Sequence, residues 1–272
     1  MRIRAGYRIT YETSVPTPML LMLNVRPERA VDLETPDTVR VTPEVRLSSY
    51  HDAFGNLCTR LLTPAGRTTF TTDFVIRDSG LPDPVFPEAD QQPVETLPDS
   101  VIEYLLPSRY CETEHLTNLA WSLFGGVTPG WARVQAIVDY AHQRITFGYE
   151  HARNTKTAFE VHEERCGVCR DFAHLAIALC RCMNIPARYC TGYLGDIGVA
   201  PVPAPMDFSA WFEVYLDGAW RTFDARHNKP RIGRILMAVG RDATDVAITT
   251  TFGVATLVNF EVITEELPAV AA

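Results

Sequence analysis

The stretch that decides the fold is residues 167–194, GVCRDFAHLAIALCRCMNIPARYCTGYL. From Cys169 to Met183 it is apolar around most of a helical circumference, which predicts a helix buried on nearly all sides. Pro186 cannot continue a helix, because it lacks the amide N–H that the next turn requires. The residues that follow, 188–194, predict a strand.

A hairpin is predicted directly downstream. Residues 209–224, SAWFEVYLDGAWRTFD, contain an Asp-Gly pair at 217–218, which is a strong signal for a two-residue turn. Such a turn places Trp211 opposite Asp224 and puts Ser209 on the same face of the sheet. Asp224 is then the diagonal neighbour of Ser209, at roughly 7–8 Å.

The first eighty residues predict β-structure. Apolar side chains alternate with polar ones from Ile3 to Tyr11 and again from Val39 to Leu47, a period of two that is typical of strands. Residues 81–98 contain five prolines and almost no periodicity. They predict an extended connector and a domain boundary.

Beyond the connector the period becomes helical. Apolar residues form helical stripes over 116–124 and 131–145, with Thr128 as the expected N-cap of the second helix, and a short helix is expected at 157–163. The sequence therefore predicts an α+β fold. Its expected parts are a β-sandwich-like domain at 1–80, the proline-rich connector at 81–98 and an α+β domain at 99–272.

Composition and charge exclude several classes of protein. The chain has 272 residues, 46% of them hydrophobic, and a formal net charge of −8. An acidic chain without a basic block repels phosphate backbones, so a nucleic-acid partner is disfavoured. No run approaches the roughly 20 apolar residues that span a bilayer, and the N-terminus lacks the pattern of a signal peptide. We expect a cytoplasmic protein without a membrane partner, with its seven cysteines reduced.

Cys169 opens the predicted central helix and is the candidate nucleophile. Backbone N–H groups at a helix N-terminus and the helix dipole both stabilise a thiolate, and such thiols have pKa values on the order of 3.5–7.5. The same N–H groups can hold a developing oxyanion. The alternative is a structural cysteine of the core, since free cysteine is commonly buried.

Together, GVCRDFAHLAIALCRCMNIPARYCTGYL and DFSAWFEVYLDGAWRTFD resemble the core of the bacterial transglutaminase-like superfamily. The alternating segment before the connector resembles the β-rich region that accompanies this core in bacteria. The resemblance implies a papain-like fold with a Cys–His–Asp triad and no cofactor or metal. Cys169 matches the nucleophile and Asp224 the acid that orients the histidine. The family's His-Ala-Trp motif is Ser209-Ala210-Trp211 here, and a serine hydroxyl has no useful basicity near neutral pH.

Another histidine is therefore a candidate for the base. His227 lies three residues after Asp224, and a loop that begins after Arg226 would fold it back to the site. The alternative is a histidine exposed to solvent. A buried Asp224 needs a partner, because an unpaired buried charge is costly, and Arg226 or Arg221 would serve as well as a histidine.

The other histidines and cysteines near Cys169 are weaker candidates for catalytic, metal-binding or redox roles. His174 lies about 140° around the helix from Cys169 and is expected to be a core residue. His162 could approach from the preceding helix. A zinc site built from these histidines with Cys166 and Cys169 lacks a second pair of ligands at the usual spacing. A thioredoxin-type role for the CxxC pair requires a preceding strand, and no strand pattern is visible there.

The sequence thus predicts a thiol enzyme that transfers the acyl group of an amide in a peptide or protein substrate. Hydrolysis, deamidation and transamidation all remain open, as does the oligomeric state. Trp211, and the proline-rich loop at 200–205, are expected to line the substrate cleft. The alternative is a degenerate domain that binds peptides or a protein partner without turnover, which the serine at position 209 favours.

Overall fold

The computed structural model describes residues 1–201 and 206–268. Its strands are β1 (Arg2–Thr13), β2 (Thr17–Leu21), β3 (Arg40–Thr42), β4 (Ser48–His51), β5 (Leu57–Thr63), β6 (Gly66–Arg77), β7 (Thr146–Phe147), β8 (Cys166–Gly167), β9 (Ala187–Tyr193), β10 (Ser209–Leu216), β11 (Ala219–Phe223), β12 (Ile235–Gly240), β13 (Thr249–Thr251) and β14 (Ala255–Glu266). Its α-helices are α1 (Asp99–Ile102), α2 (Thr113–Phe124), α3 (Trp131–Arg144), α4 (Ala158–Glu164) and α5 (Cys169–Cys182). The predicted α+β fold is confirmed. None of the helices in the described ranges is long and apolar enough to cross a membrane.

The N-terminal half forms two antiparallel sheets with strand orders β14-β1-β6-β3 and β13-β2-β5-β4. Alternate residues of both sheets point into one shared core, which includes Ile9 of β1, Met19 of β2 and Phe70 of β6. The two C-terminal strands complete these sheets, since β14 pairs along β1 and β13 pairs along β2. The predicted domain boundaries at residues 80 and 98 stay a prediction. Strands from both sides of the connector contribute to these two sheets.

The second half is built on a four-stranded antiparallel sheet with the order β11-β10-β9-β12. The central helix α5 packs on one face of this sheet, against Ala210, Phe212 and Val214 of β10. Because α5 is covered by α2, α3 and α4 on its other sides, it is buried from Asp171 to Cys182, as its apolar circumference predicts.

The β10–β11 hairpin has the predicted register. Phe212 pairs with Phe223, and Leu216 pairs with Ala219 across a two-residue turn. Both turn residues have positive φ, 50° at Asp217 and 73° at Gly218, as a tight hairpin turn requires. This register carries Asp224 to the end of the sheet that also holds the start of β10.

Two local expectations differ from the structure, and a third falls partly outside the described residues. The segment from Val39 to Leu47 contains only the short strand β3, because Pro43 interrupts the ladder. The helix α3 has Gly130 and not Thr128 at its N-cap. The reason is a tertiary contact, since the N–H of Trp131 donates to the carbonyl of Ala89 in the connector. Residues 202–205 of the predicted proline-rich wall lie outside the described residues.

Gly192 of β9 provides a test of the central sheet. A Cβ at this position would lie 2.0 Å from the carbonyl oxygen of Ile235 on β12, so the strands would have to separate. We expect Gly192→Ala to reduce the free energy of unfolding by about 1–3 kcal/mol, the usual cost of overpacking. The matched control is Gly126→Ala, where no atom lies within 4 Å. Urea titration of both variants makes the comparison, and equal midpoints would contradict the close β9–β12 approach.

Candidate active site

Cys169 is the first residue of α5, and several contacts fix the chain that leads to it. A two-residue strand, β8, does precede the helix, contrary to expectation, but it pairs with β7 in a separate two-stranded sheet. The buried Lys156 donates from Nζ to the carbonyl of Cys166 at 3.1 Å. At the helix start, Asp171 Oδ2 accepts from the N–H of Val168 at 2.9 Å. The half-buried thiol is thus held on a capped helix end.

Burial decides the protonation state of this thiol. It raises the pKa of Cys169 to about 11, against the opposing effects of Arg226 and of the backbone N–H groups of Ala210 and Arg170. The expectation of a lowered pKa is therefore wrong for the resting site. Removing water from the thiolate costs more than the helix terminus and the guanidinium contribute. At neutral pH the thiol is protonated and needs a base to become a nucleophile.

Asp224 follows the last residue of β11 and organises the turn after it. Its Oδ1 accepts from the N–H of His227 at 2.9 Å, and its carbonyl accepts from the N–H of Asn228 at 2.8 Å. The turn brings the imidazole back, so that Nδ1 of His227 lies 2.8 Å from Oδ2 of Asp224. Because a carboxylate only accepts, Nδ1 carries the proton and Nε2 is left as the basic nitrogen.

Arg234 is the second partner of the Asp224 carboxylate. Its Nη2 donates to Oδ2 of Asp224 at 2.8 Å, and its Nε donates to Oδ2 of Asp83 at 2.8 Å. The guanidinium also lies over the Trp211 ring, 5.0 Å from its centroid. Burial alone would raise the pKa of Asp224, but the Arg234 charge and the His227 hydrogen bonds hold that pKa well below its usual range. The residue is therefore an ionised, fully paired carboxylate at neutral pH.

Two cavities meet at Cys169. The first, of about 280 Å³, is lined by Cys169, Ser209 and His227 together with charged residues of the 226–231 segment. The second, of about 690 Å³, contains Cys169 and Ser209 and extends along Arg170. The thiol therefore lies between the two cavities. Of these two, His227 lines only the smaller, as far as the described residues show.

Ser209 and Trp211 have different surroundings. Ser209 is buried beside Cys169, but its hydroxyl has no hydrogen-bond partner within the described chain. Trp211 lines neither cavity at Cys169 but a separate one of about 570 Å³ beside Arg234, and its place in the substrate cleft stays a prediction. It packs against Cys190 and Val239 and supports the Arg234 guanidinium.

The arginines expected to pair with Asp224 bind elsewhere. The guanidinium of Arg221 lies over the Phe86 ring and that of Arg226 over the Phe147 ring, each 3.8 Å from the ring centroid. The partners in the structure are Arg234 and, behind it, the connector residue Asp83, which the sequence does not single out. The sequence allows the prediction that a buried Asp224 needs a cationic partner. It does not indicate which arginine lies next to Asp224 in the folded protein.

The other candidate ligands lie apart from the thiol. His174 is buried, as expected, where its Nε2 accepts from the N–H of Ala243 at 3.1 Å, and burial lowers its pKa. His162 contacts the hydroxyl of Tyr140 at 3.1 Å. All seven cysteines are free. Within 1–201 and 206–268, no group of three or more His, Cys, Asp or Glu side chains is placed to hold a metal ion.

The Arg234–Asp224 pair predicts a large stability effect. Arg234→Met removes one partner of a buried ion pair, which costs about 3–5 kcal/mol in the free energy of unfolding. Arg241→Met, which breaks the more exposed Arg241–Asp245 pair at the same 2.8 Å, costs about 0–1 kcal/mol. Because Asp224 has a lowered pKa, its contribution is present above the unfolded pKa of about 3.9 and is lost at lower pH.

The measurement is urea unfolding of both variants between pH 7 and pH 3. The difference between wild type and Arg234→Met should shrink as the pH falls below about 4. Equal effects of the two substitutions at pH 7 would show that the Asp224 pair is not the buried anchor described here.

Comparisons with known proteins agree with this architecture. Residues 117–225 match the family model of the transglutaminase-like superfamily, a range that includes Cys169, Ser209 and Asp224 and ends before His227. A structure from Cytophaga hutchinsonii, described as "a Putative Cysteine Protease", is 31% identical to this chain with a TM-score of 0.85. The alignment covers 100% of this chain and 92% of the Cytophaga hutchinsonii chain.

Other matches are shorter or more distant. An uncharacterized protein of Mycobacterium leprae is 39% identical over 83 residues, which are 30% of this chain and 30% of that protein. The periplasmic domain of TgpA from Pseudomonas aeruginosa is 13% identical, with a TM-score of 0.41 over 82% of this chain and 88% of its own. From the family match and the relative that aligns from end to end, we conclude that the chain belongs to the transglutaminase-like superfamily.

Proposed function

We propose that the protein is a thiol enzyme that transfers the acyl group of an amide through a Cys169 acyl-enzyme, with His227 as the general base. The observation that carries this proposal is that His227, bound through Nδ1 to Asp224, lines the same cavity as the Cys169 thiol. The base comes from the turn after β11 and not from the first residue of β10, where the family's histidine motif has Ser209.

The proposed chemistry follows from the protonation states. Nε2 of His227 takes the thiol proton as Sγ of Cys169 attacks the amide carbonyl carbon. Backbone N–H groups at the start of α5 stabilise the oxyanion of the tetrahedral intermediate. When the C–N bond breaks, the imidazolium returns the proton to the leaving amine. Water or a second amine then attacks the thioester with the same histidine as base. Asp224 stays ionised throughout and fixes the ring tautomer.

The comparisons support a peptide or protein as the substrate. The Cytophaga hutchinsonii relative is described as "a Putative Cysteine Protease", and cleavage of a peptide or isopeptide bond, deamidation and transamidation share the proposed acyl-enzyme. We propose a cytoplasmic location on the ground that the seven cysteines, all free, suit a reducing compartment. The second candidate, a domain that binds peptides without turnover, is favoured by Ser209, and the experiments below separate the two.

Substitution of His227 tests the base directly. His227→Ala should reduce the rate of Cys169 acylation by p-nitrophenyl acetate by about 10²–10⁴-fold, the usual contribution of a positioned general base. His115→Ala is the matched control, because His115 is exposed on α2 and contacts Phe159. Mass spectrometry locates the acetyl group, and Cys169→Ser should not carry it.

The Ser209→His variant separates the two sources of a base. Since Asp224 is already bound by His227 and Arg234, a histidine at position 209 cannot use it as an orienting partner, and Ser209→His should not accelerate acylation. Rescue of an inactive wild type by Ser209→His would instead identify the protein as a degenerate binding domain. Acylation that survives His227→Ala unchanged would end the assignment of His227.

The raised thiol pKa gives a pH prediction. Alkylation of Cys169 by iodoacetamide should accelerate with rising pH through an apparent pKa above the free value of about 8.5, because burial disfavours the thiolate. Peptide mass mapping after alkylation between pH 6 and pH 11 gives the profile for Cys169. A rate that is already maximal below pH 7 would indicate a preformed thiolate and contradict activation by a base.

A further inference from the structure

The smaller cavity at Cys169 has an unusual charge distribution. Three cationic side chains line it, Arg226, Lys229 and Arg231, against the two carboxylates of Asp196 and Asp207. Asp224 and Asp196 compensate the charge of Arg231 in part, and Asp207 does so for Arg226, whereas Arg234, just outside this cavity, is bound directly by two carboxylates. The lining of the cavity therefore has three cations against two carboxylates, an excess of one positive charge.

Arg231 is the buried member of this group. It is 4% exposed, and its Nη2 donates to the carbonyl of Gly195 at 2.9 Å. Its Nε is buried with no hydrogen-bond partner in the described part of the chain. Burial and the neighbouring Arg234 lower the pKa of Arg231, while Asp224 and Asp196 act in the opposite direction. A buried guanidinium that is compensated only in part can bind an additional anion from a ligand.

The position of the base assigns this cavity to one half of the substrate. The imidazolium of His227 must protonate the leaving amine, so the amine portion has to lie on the side of Cys169 where His227 lies. That side is the smaller, cationic cavity. The acyl portion then occupies the larger cavity along Arg170 and Tyr189.

We propose that the amine portion of the substrate carries a carboxylate, as a carboxy-terminal amino acid does, and that Arg231 and Lys229 bind it. This inference rests on the proposed function, since it assumes cleavage of an amide at Cys169. The cavity of about 280 Å³ is slightly smaller than typical ligand pockets of about 300–1,000 Å³, which suits a single residue better than a continuing chain. In the reaction the amide C–N bond breaks, the amine gains the proton from His227, and the carboxylate remains unchanged.

A pair of alkylating reagents tests the cationic cavity without requiring turnover. Iodoacetate and iodoacetamide deliver the same carbon to Sγ of Cys169, but only iodoacetate carries a carboxylate. We expect the iodoacetate-to-iodoacetamide rate ratio for Cys169, measured at a pH where the thiolate forms, to exceed the ratio for free cysteine. Lys229→Gln should lower the ratio about fivefold, the effect of one charge at contact distance in water.

The control is Arg60→Gln, which changes the net charge equally at an exposed position on β5. Arg231→Gln should act like Lys229→Gln, and the exposed Lys229 keeps the test valid if the buried variant does not fold. A wild-type ratio at or below that of free cysteine, or an equal response to Arg60→Gln and Lys229→Gln, would overturn the proposal. So would a Cys169 that reacts with neither reagent at high pH.

Peptide substrates then separate this inference from the proposed function. We expect wild type to release a carboxy-terminal amino acid from a peptide with a free carboxylate at least tenfold faster than from the matched carboxamide peptide, and Lys229→Gln to reduce that preference. Equal cleavage of both peptides would refute carboxylate recognition and leave the thiol enzyme intact. Cleavage of neither peptide by an enzyme that is acylated normally by p-nitrophenyl acetate would also refute it, while a loss of acylation refutes the proposed function.

Discussion

The buried carboxylate of Asp224 is the constraint on which the site depends. A charge that is removed from water must be paired, and here the pairing comes from three parts of the chain. The turn after β11 supplies His227, the segment before β12 supplies Arg234, and the connector supplies Asp83, which holds Arg234 from the other side. The proline-rich segment is therefore part of the active-site architecture as well as a link between regions.

This arrangement also accounts for a histidine outside the family's usual motif. With Arg234 fixed over Trp211 and bound to Asp224, the carboxylate faces the 224–228 turn, where both the backbone N–H and the imidazole Nδ1 of His227 contact it. The thiol, in contrast, is kept protonated by burial. We infer that the N-terminus of α5 positions Cys169, whereas the 224–228 turn provides His227 as the acceptor of the thiol proton.

Much of this could be predicted from the sequence because it rests on local patterns. The buried helix, the Asp-Gly hairpin with its register, and the places of Cys169 and Asp224 follow from periodicity and turn chemistry. What could not be predicted depends on contacts between distant segments. The pairing of Arg234 with Asp83 and Asp224, the return of β14 to β1, and the desolvation that raises the pKa of Cys169 are properties of the assembled fold. The contact of Trp211 with the Arg234 guanidinium is likewise a property of the assembled fold, because the hairpin register does not say what covers the shared face.

The central claim is that the imidazole of His227 is oriented by Asp224 to act on Cys169. Nitrogen-15 NMR of the histidine rings tests it most directly, with His227 identified by comparison with His227→Ala. The account predicts that neutral His227 carries its proton on Nδ1, and that alkylation of Cys169 shifts the Nε2 resonance of this ring. A proton on Nε2, or a ring that does not respond when Cys169 is alkylated, would contradict the account.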